Sequence, residues 1–366
     1  MKIGIDARLW NESGVGRYIR NLIYNLADID KKNKYVLFLR KGSGNPPLPS
    51  NFRKVFTDIH WHTLREQLKF PGAIEKEGID LMHFPYFSVP VSYSKPFVVT
   101  IHDLIMHYFP TGQASTHSSL IYKIKLLSYK FVIKKAAQKA QKIIAVSNAT
   151  KQNIISDLKI KKDKIAVIYE GVDDKLKNQK LKNFSGESYF LYVGNAYPHK
   201  NLDRFVEAFS ILVKESPKTS LVLAGREDVF YRRLRKKIED LGLGKIIRFT
   251  GEANDEELAD LYLNALGLVM PSLMEGFGLP ALEAMANKCL VLASDIPSLR
   301  EICGEAAVYF DPYNIGDMAE KLRKVRHDNQ DYYNDKKKRG IERAKLFSWQ
   351  KMARQTLKIY ESCVSL

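Results

Sequence analysis

Glu275 and Glu283 enclose the turn Gly276-Phe277-Gly278-Leu279-Pro280. The apolar run Ala265–Met270 reads as a buried strand that stops at Pro271, and a helix is expected to begin near Pro280. Proline suits the first helical turn, where its missing N–H would be unpaired anyway. The amides of Phe277, Gly278 and Leu279 then stand at a helix N-terminus, which favours an anion, and the glycines let a phosphate approach the backbone. A phosphate alone gains nothing from flanking carboxylates. A diphosphate with hydroxyls on both sides does, because ionised carboxylates are strong acceptors. The pattern fits a sugar nucleotide, with Glu275 for the sugar and Glu283 for the ribose. The alternative is that Glu283 only complements the helix dipole and Glu275 is a solvated loop residue.

Three more stretches carry candidate chemistry. Gly14 and Gly16 lie between a first strand and a first helix, where they either admit a ligand or make a tight turn. Ile19 stands where a dinucleotide fingerprint needs its third glycine, and no Lys-Ser/Thr pair completes a P-loop. His102, in Thr100-Ile101-His102-Asp103, follows an apolar strand and so falls at the edge where open α/β sheets bind ligands. Lys200, in Gly194-Asn195-Ala196-Tyr197-Pro198-His199-Lys200-Asn201, brings an ammonium to a helix start, unless it is a plain surface charge. Asp28-Ile29-Asp30 has the Asp-x-Asp form of metal-dependent transferases, but it closes an expected helix before a lysine-rich turn and is read as solvated.

The elements that must position these residues alternate. Strands are expected at Lys2–Ile5, Tyr35–Leu39, Leu81–Phe84, Phe97–Ile101, Ile143–Val146 and Ile165–Ile168, with helices such as Arg17–Leu26 and Lys151–Leu158 between them. After a polar linker beyond Val172, strands resume at Tyr189–Val193, Ser220–Ala224, Ile246–Phe249, Leu268–Met270, Leu290–Ala293 and Ala307–Phe310. Such alternation implies right-handed crossovers and parallel sheets covered on both faces. The fold class is α/β, with two doubly wound Rossmann-like domains facing across a cleft: residues 1–180, residues 181–347, and a closing helix over 348–366.

The Glu275–Glu283 segment resembles the signature of the group 1 (family 4) retaining glycosyltransferases with the GT-B fold. The resemblance spans nearly the whole chain and implies several roles. Gly14 and Gly16 would be the glycine loop that closes over the donor phosphate and faces the acceptor. His102 would contact the donor sugar, with Asp103 orienting its loop, and Lys200 would neutralise the leaving diphosphate. Many members carry an arginine where Asn195 stands, for which His199 or Arg226 is expected to compensate. The turn ending at Ala253 would meet the nucleotide base. Val146–Thr150 and Tyr169–Asp173 would be scaffold, Pro110–Leu120 a mobile acceptor loop, and Phe347-Ser348-Trp349 the lead into the closing helix. The implied activity is transfer of a hexose to a glycan or lipid-linked saccharide without metal or other cofactor. The His-Asp-Leu and Pro-His-Lys-Asn-Leu runs favour mannose from GDP-mannose. The alternatives are a UDP-sugar donor or a sugar-nucleotide epimerase of the same fold.

Composition agrees with a globular protein of about two domains: 366 residues, 45% apolar and 27% charged. No apolar run approaches a membrane span, no leader is expected, and three cysteines without metal or disulfide spacing suggest a reducing cytoplasm. Residues 1–180 hold 30 Lys and Arg against 15 Asp and Glu, whereas residues 181–366 hold 28 against 26. The first half therefore calls for an acidic partner. No recognition-module signature points to nucleic acid. Lys123, Lys125, Lys130, Lys134, Lys135, Lys139 and Lys142 accompany Leu126, Leu127, Phe131 and Val132 on one expected helix. That helix either docks peripherally on an anionic membrane's inner face or packs on the core with a solvated lysine face.

Overall fold

The computed structural model describes residues 1–110, 119–172, 188–328 and 330–364. The expected polar linker (173–187) and most of the expected acceptor loop (111–118) lie outside them. The chain forms two compact units, one of Met1–His107, His117–Gly171 and Ser348–Leu366, the other of Tyr108–Thr116 and Val172–Phe347.

In the first unit the order is β1 (Lys2–Asp6), α1 (Gly14–Ile29), β2 (Lys34–Arg40), β3 (Phe52–Thr57), α2 (Leu64–Glu75), β4 (Leu81–Phe84), β5 (Phe97–Ile101), α3 (Ile105–Tyr108), α4 (Ser119–Lys139), β6 (Lys142–Ala145), α5 (Asn148–Leu158) and β7 (Ile165–Val167). The seven strands lie in the order β3-β2-β1-β4-β5-β6-β7, with every pair parallel. The central strands are continuous apolar runs because helices cover both faces. On one face α2, α4 and α5 bury Phe70, Ile74, Tyr129, Ile133, Ile154 and Leu158 against the sheet.

On the other face α1 packs against the last helix of the chain, which belongs to this unit. There the Tyr360 hydroxyl meets His83 Nδ1 at 2.6 Å, and His83 Nε2 lies 2.8 Å from the Thr100 hydroxyl. A solvent-lean ring site suits this histidine because both its nitrogens are satisfied.

Two expectations change here. The edge strand β3 was not read from the sequence, since Phe52-Arg53-Lys54-Val55-Phe56-Thr57 is half exposed and shows no clear apolar run. Asp30 is not solvated: it is 3% exposed and accepts from the Tyr35 hydroxyl, the Asn33 side chain and the amides of Lys32 and Asn33. It closes α1 rather than waiting for a metal.

In the second unit β8 (Ser188–Val193), α6 (Leu202–Glu215), β9 (Thr219–Ala224), α7 (Val229–Asp240), β10 (Ile247–Gly251), α8 (Asp255–Asn264), β11 (Gly267–Met270), α9 (Leu279–Ala286), β12 (Val291–Ser294), α10 (Pro297–Cys303), β13 (Ala307–Phe310), α11 (Ile315–His327) and α12 (Gln330–Ala344) follow in order. The sheet order is β10-β9-β8-β11-β12-β13, again all parallel. Helices α6, α7 and α11 bury Phe205, Phe209, Leu234 and Leu322 on one face. Local signals start the helices: Asp228 caps α7, Asn314 caps α11, and Asn254 with Glu257 forms a reciprocal capping box on α8. The chain ends with α13 (Trp349–Val364), the helix that packs on α1. Among the described residues no helix is long and apolar enough to cross a membrane.

Candidate active site

Strand order reverses between β8 and β11, since β8 leads to β9 on one side and β11 to β12 on the other. Ligands of open α/β sheets sit outside the carboxyl ends of strands at such a point. The loop after β8 delivers Lys200 there, and the loop after β11 delivers Glu275. Lys200 Nζ and Glu275 Oε1 are 2.7 Å apart, with side chains 17% and 8% exposed. The Ser272 hydroxyl donates to the same carboxylate oxygen at 2.7 Å. Burial opposes ionisation of Glu275, but the Lys200 charge and hydrogen bonds outweigh it and hold its pKa below the ordinary value.

The turn that carries Lys200 is held by a residue that sequence reading passed over. Asn201 has φ near +60° and donates through Nδ2 to the carbonyls of Pro271 and Pro312 at 3.0 and 2.7 Å. It ties the β8 loop to the end of β11 and so sets where Lys200 and Glu275 meet. Its position straight after the lysine was the available signal.

Helix α9 starts where the glutamate spacing predicts. Gly278 precedes it with φ +96°, a backbone conformation that favours glycine, and a Cβ there would also have to displace the Leu299 Cδ2 methyl, 2.8 Å away. Phe277 is buried with its ring edge-on to Phe347, and Leu279 opens the helix. Glu283, 6% exposed, accepts from the Tyr262 hydroxyl at 3.0 Å, so it is an oriented carboxylate rather than a loose dipole partner. Asn195 follows β8 with its carbonyl taken by the Tyr192 hydroxyl, and Ala253 stands between β10 and the α8 cap.

His199, one of the two residues expected to compensate for the missing arginine, is buried beside Lys200. It is 5% exposed, and burial, with Lys200 beside it, brings its pKa down to about 4, so it is neutral near pH 7. Arg226, the other candidate, is exposed just beyond β9.

In the first unit the reversal lies between β1 and β4, and His102 leaves the end of the neighbouring β5. Its Nδ1 lies 3.0 Å from Glu170 Oε1 and its Nε2 2.9 Å from the Pro85 carbonyl. A carbonyl and an ionised carboxylate only accept, so this pair of partners favours the protonated ring, in which both nitrogens donate. Burial works against that charge, but the Glu170 hydrogen bond and charge prevail and raise the pKa. The Tyr18 ring meets His102 edge-on at 4.9 Å. A contact between the sugar and a His102 ring nitrogen therefore requires one of these two bonds to open.

Glu170 was read only as scaffold. It stands just past β7, and nothing in its sequence neighbourhood signals a histidine 68 positions earlier. The other scaffold segment does serve that purpose, since the Thr150 hydroxyl donates to the His102 carbonyl at 3.1 Å. Asp103 accepts from the Ile105 amide and so fixes the loop beyond.

The glycine pair takes a different form from the loop expected. Gly14 and Gly16 are in the first turn of α1. A Cβ on Gly16 would lie 2.8 Å from the carbonyl oxygens of both Leu9 and Trp10, whereas one on Gly14 meets nothing within 4 Å. Gly16 answers to the chain folded behind it, and Gly14 alone of the two faces open space.

Comparison with known proteins supplies the class. Residues 173–346 match the family described as "Glycosyl transferases group 1", and residues 13–176 match "Glycosyltransferase Family 4". The O-antigen chain mannosyltransferase RfbU of Salmonella typhimurium is 30% identical over 253 residues, covering 69% of this chain and 65% of that protein. O-antigen chain mannosyltransferase B of Escherichia coli is 26% identical, covering 95% of this chain and 96% of that one. Sucrose-phosphate synthase from Thermosynechococcus elongatus shares the fold with a TM-score of 0.82 at 22% identity, over 100% of this chain and 99% of that chain. The two sheets thus define the GT-B fold. The chain belongs to the group 1, family 4 glycosyltransferases.

Proposed function

We propose that this enzyme transfers mannose from GDP-mannose, with retention of anomeric configuration, to a growing glycan or lipid-linked saccharide. The observation that carries the reading is the Lys200–Glu275 ion pair at the β8/β11 reversal, with Glu275 on the loop that leads into α9. The named relatives, both mannosyltransferases of O-antigen chains, support the choice of sugar and of a glycan acceptor.

The chemistry asks for charge placement more than for a strong base. Breaking the bond between the anomeric carbon and the phosphate oxygen builds negative charge on the diphosphate. Lys200 turns from Glu275 to that oxygen, and the start of α9 adds its positive dipole end, as preorganised donors do elsewhere. Glu275, released, accepts from a sugar hydroxyl, and Glu283 accepts from the ribose. The acceptor oxygen bonds to the anomeric carbon on the face the phosphate leaves, and the hydroxyl proton passes to the departing phosphate oxygen. No metal is assigned a step. The basic helix α4 is read as facing an anionic lipid surface, where lipid-linked acceptors reside.

Isothermal calorimetry with GDP, UDP and ADP, and with their sugars, tests the donor. GDP and GDP-mannose should bind most tightly. Tighter binding of UDP or ADP would overturn the donor, and NMR showing an epimerised sugar without acceptor would overturn the transferase.

A further inference from the structure

The described part of α4 separates its apolar residues in a way that periodicity alone did not show. Tyr129, Ile133, Ala136 and Ala137 face the core, and Leu126 and Val132 are half buried. On the opposite side Ile124, Leu127 and Phe131 are 55%, 68% and 53% exposed. Helix α2 does the same: Phe70 and Ile74 are buried, while Leu64 and Leu68 are 83% and 80% exposed. Both helices cover the same sheet face. Phe87 lies between them, its ring 5.1 Å from His62 just before α2 and 4.9 Å from Tyr129 in α4.

Crossover helices run antiparallel to parallel strands, so α2 and α4 both start at the carboxyl edge of the sheet, the edge that carries His102. The five exposed apolar side chains therefore sit toward that edge on two neighbouring helices. The charges around them are mostly of one sign, with Glu75 at the last turn of α2 the exposed acid on that helix. Arg65 and Lys69 flank the leucines of α2, and Lys123, Lys125, Lys130 and Lys134 are exposed on α4. Glu66 is buried against Arg8 and contributes no exposed charge. No acid occurs between Asp103 and Asp157.

We infer that Leu64, Leu68, Ile124, Leu127 and Phe131 form a two-helix platform that inserts into an anionic bilayer, with the cations at headgroup level. Apolar side chains ringed by lysine and arginine are what such an interface accommodates, whereas exposed apolar residues alone would not specify lipid. The inference rests on the reading of α4 as membrane-facing and extends it from electrostatic attraction to insertion. It also directs the His102 edge of the first unit to the surface.

The test uses the full chain with vesicles of phosphatidylcholine alone or mixed with phosphatidylglycerol. The wild type should sediment with the anionic vesicles and remain partly bound near 1 M salt, where the Debye length falls to about 3 Å. A variant with Leu64→Ser, Leu68→Ser, Leu127→Ser and Phe131→Ser should bind at least about tenfold more weakly, since inserting one leucine is worth about that factor. Leu127→Trp should show a blue-shifted emission with anionic vesicles that survives high salt. Complete release by salt with no Trp shift would overturn insertion and leave the electrostatic reading standing. No binding to anionic vesicles even at low salt would overturn both. A serine variant that changed oligomeric state but not vesicle binding would make the platform a contact between copies of the chain. GDP binding, measured on each variant, reports on the donor site separately.

Discussion

Glu170 and His102 meet at 3.0 Å, each nearly buried, and the Pro85 carbonyl occupies the other ring nitrogen. The loops that follow β4, β5 and β7 thus fix one imidazole ring. The arrangement makes the protonation of His102 depend on Glu170.

Glu170→Gln should lower the His102 titration, because burial is then opposed only by the Pro85 carbonyl and the Asp103 charge. The folded protein holds this proton more tightly than the unfolded chain. The stabilisation is therefore full below about pH 6.5 and is lost as pH rises through the raised value. Melting temperature against pH should show that loss in the wild type and not in the variant. NMR of the ring resonances checks the same shift, and an unchanged titration would remove Glu170 from the role.

Lys200→Met leaves Glu275 buried without its cation, which costs roughly 3 kcal/mol, the low end for a broken buried pair. Turnover should fall more than donor affinity, because the ammonium matters most when the bond breaks. The folded pKa of Glu275 is depressed, so this pair's stabilisation is present above about pH 4.5 and fades as pH falls through the folded value. Denaturant titrations at two pH values and steady-state kinetics separate the effects. A change confined to KM would make Lys200 a binding residue only.

Glu283→Ala should weaken GDP binding by about tenfold or more, the loss of charge-assisted hydrogen bonds. Tyr262→Phe removes the hydroxyl that orients the carboxylate and should cost about 1 kcal/mol or less in the same calorimetric assay. Equal losses from both variants would place the effect in folding rather than in ribose recognition.

Gly16→Ala should destabilise the protein by about 1–3 kcal/mol, because two backbone carbonyls stand 2.8 Å from the new Cβ. Gly14→Ala meets open space and should change stability by at most about 1 kcal/mol, toward stabilisation. Thermal melts of both variants settle the contrast. Gly14→Ala that lowered turnover without lowering stability would tie the open position to ligand approach.

The sequence by itself determined the alternation of strands and helices, and with it two parallel sheets, because buried parallel strands must be apolar and their crossovers must return. It also determined the Glu275–Glu283 frame, since both residues bracket one short turn and a helix start depends on local backbone chemistry. Lys200 was legible for the same reason. What only the tertiary structure decided depends on neighbours distant in the chain. The β5 and β7 ends bring Glu170 to His102 across an intervening strand, which no spacing encodes. The Leu9 and Trp10 carbonyls give Gly16 its purpose, and burial leaves His199 neutral. In α4 the lysine density was visible, but which apolar residues face the core depended on how the helix was rotated against the sheet. Rotation is set by packing, as Tyr129 and Ile133 fill the space beneath and turn Leu127 and Phe131 outward.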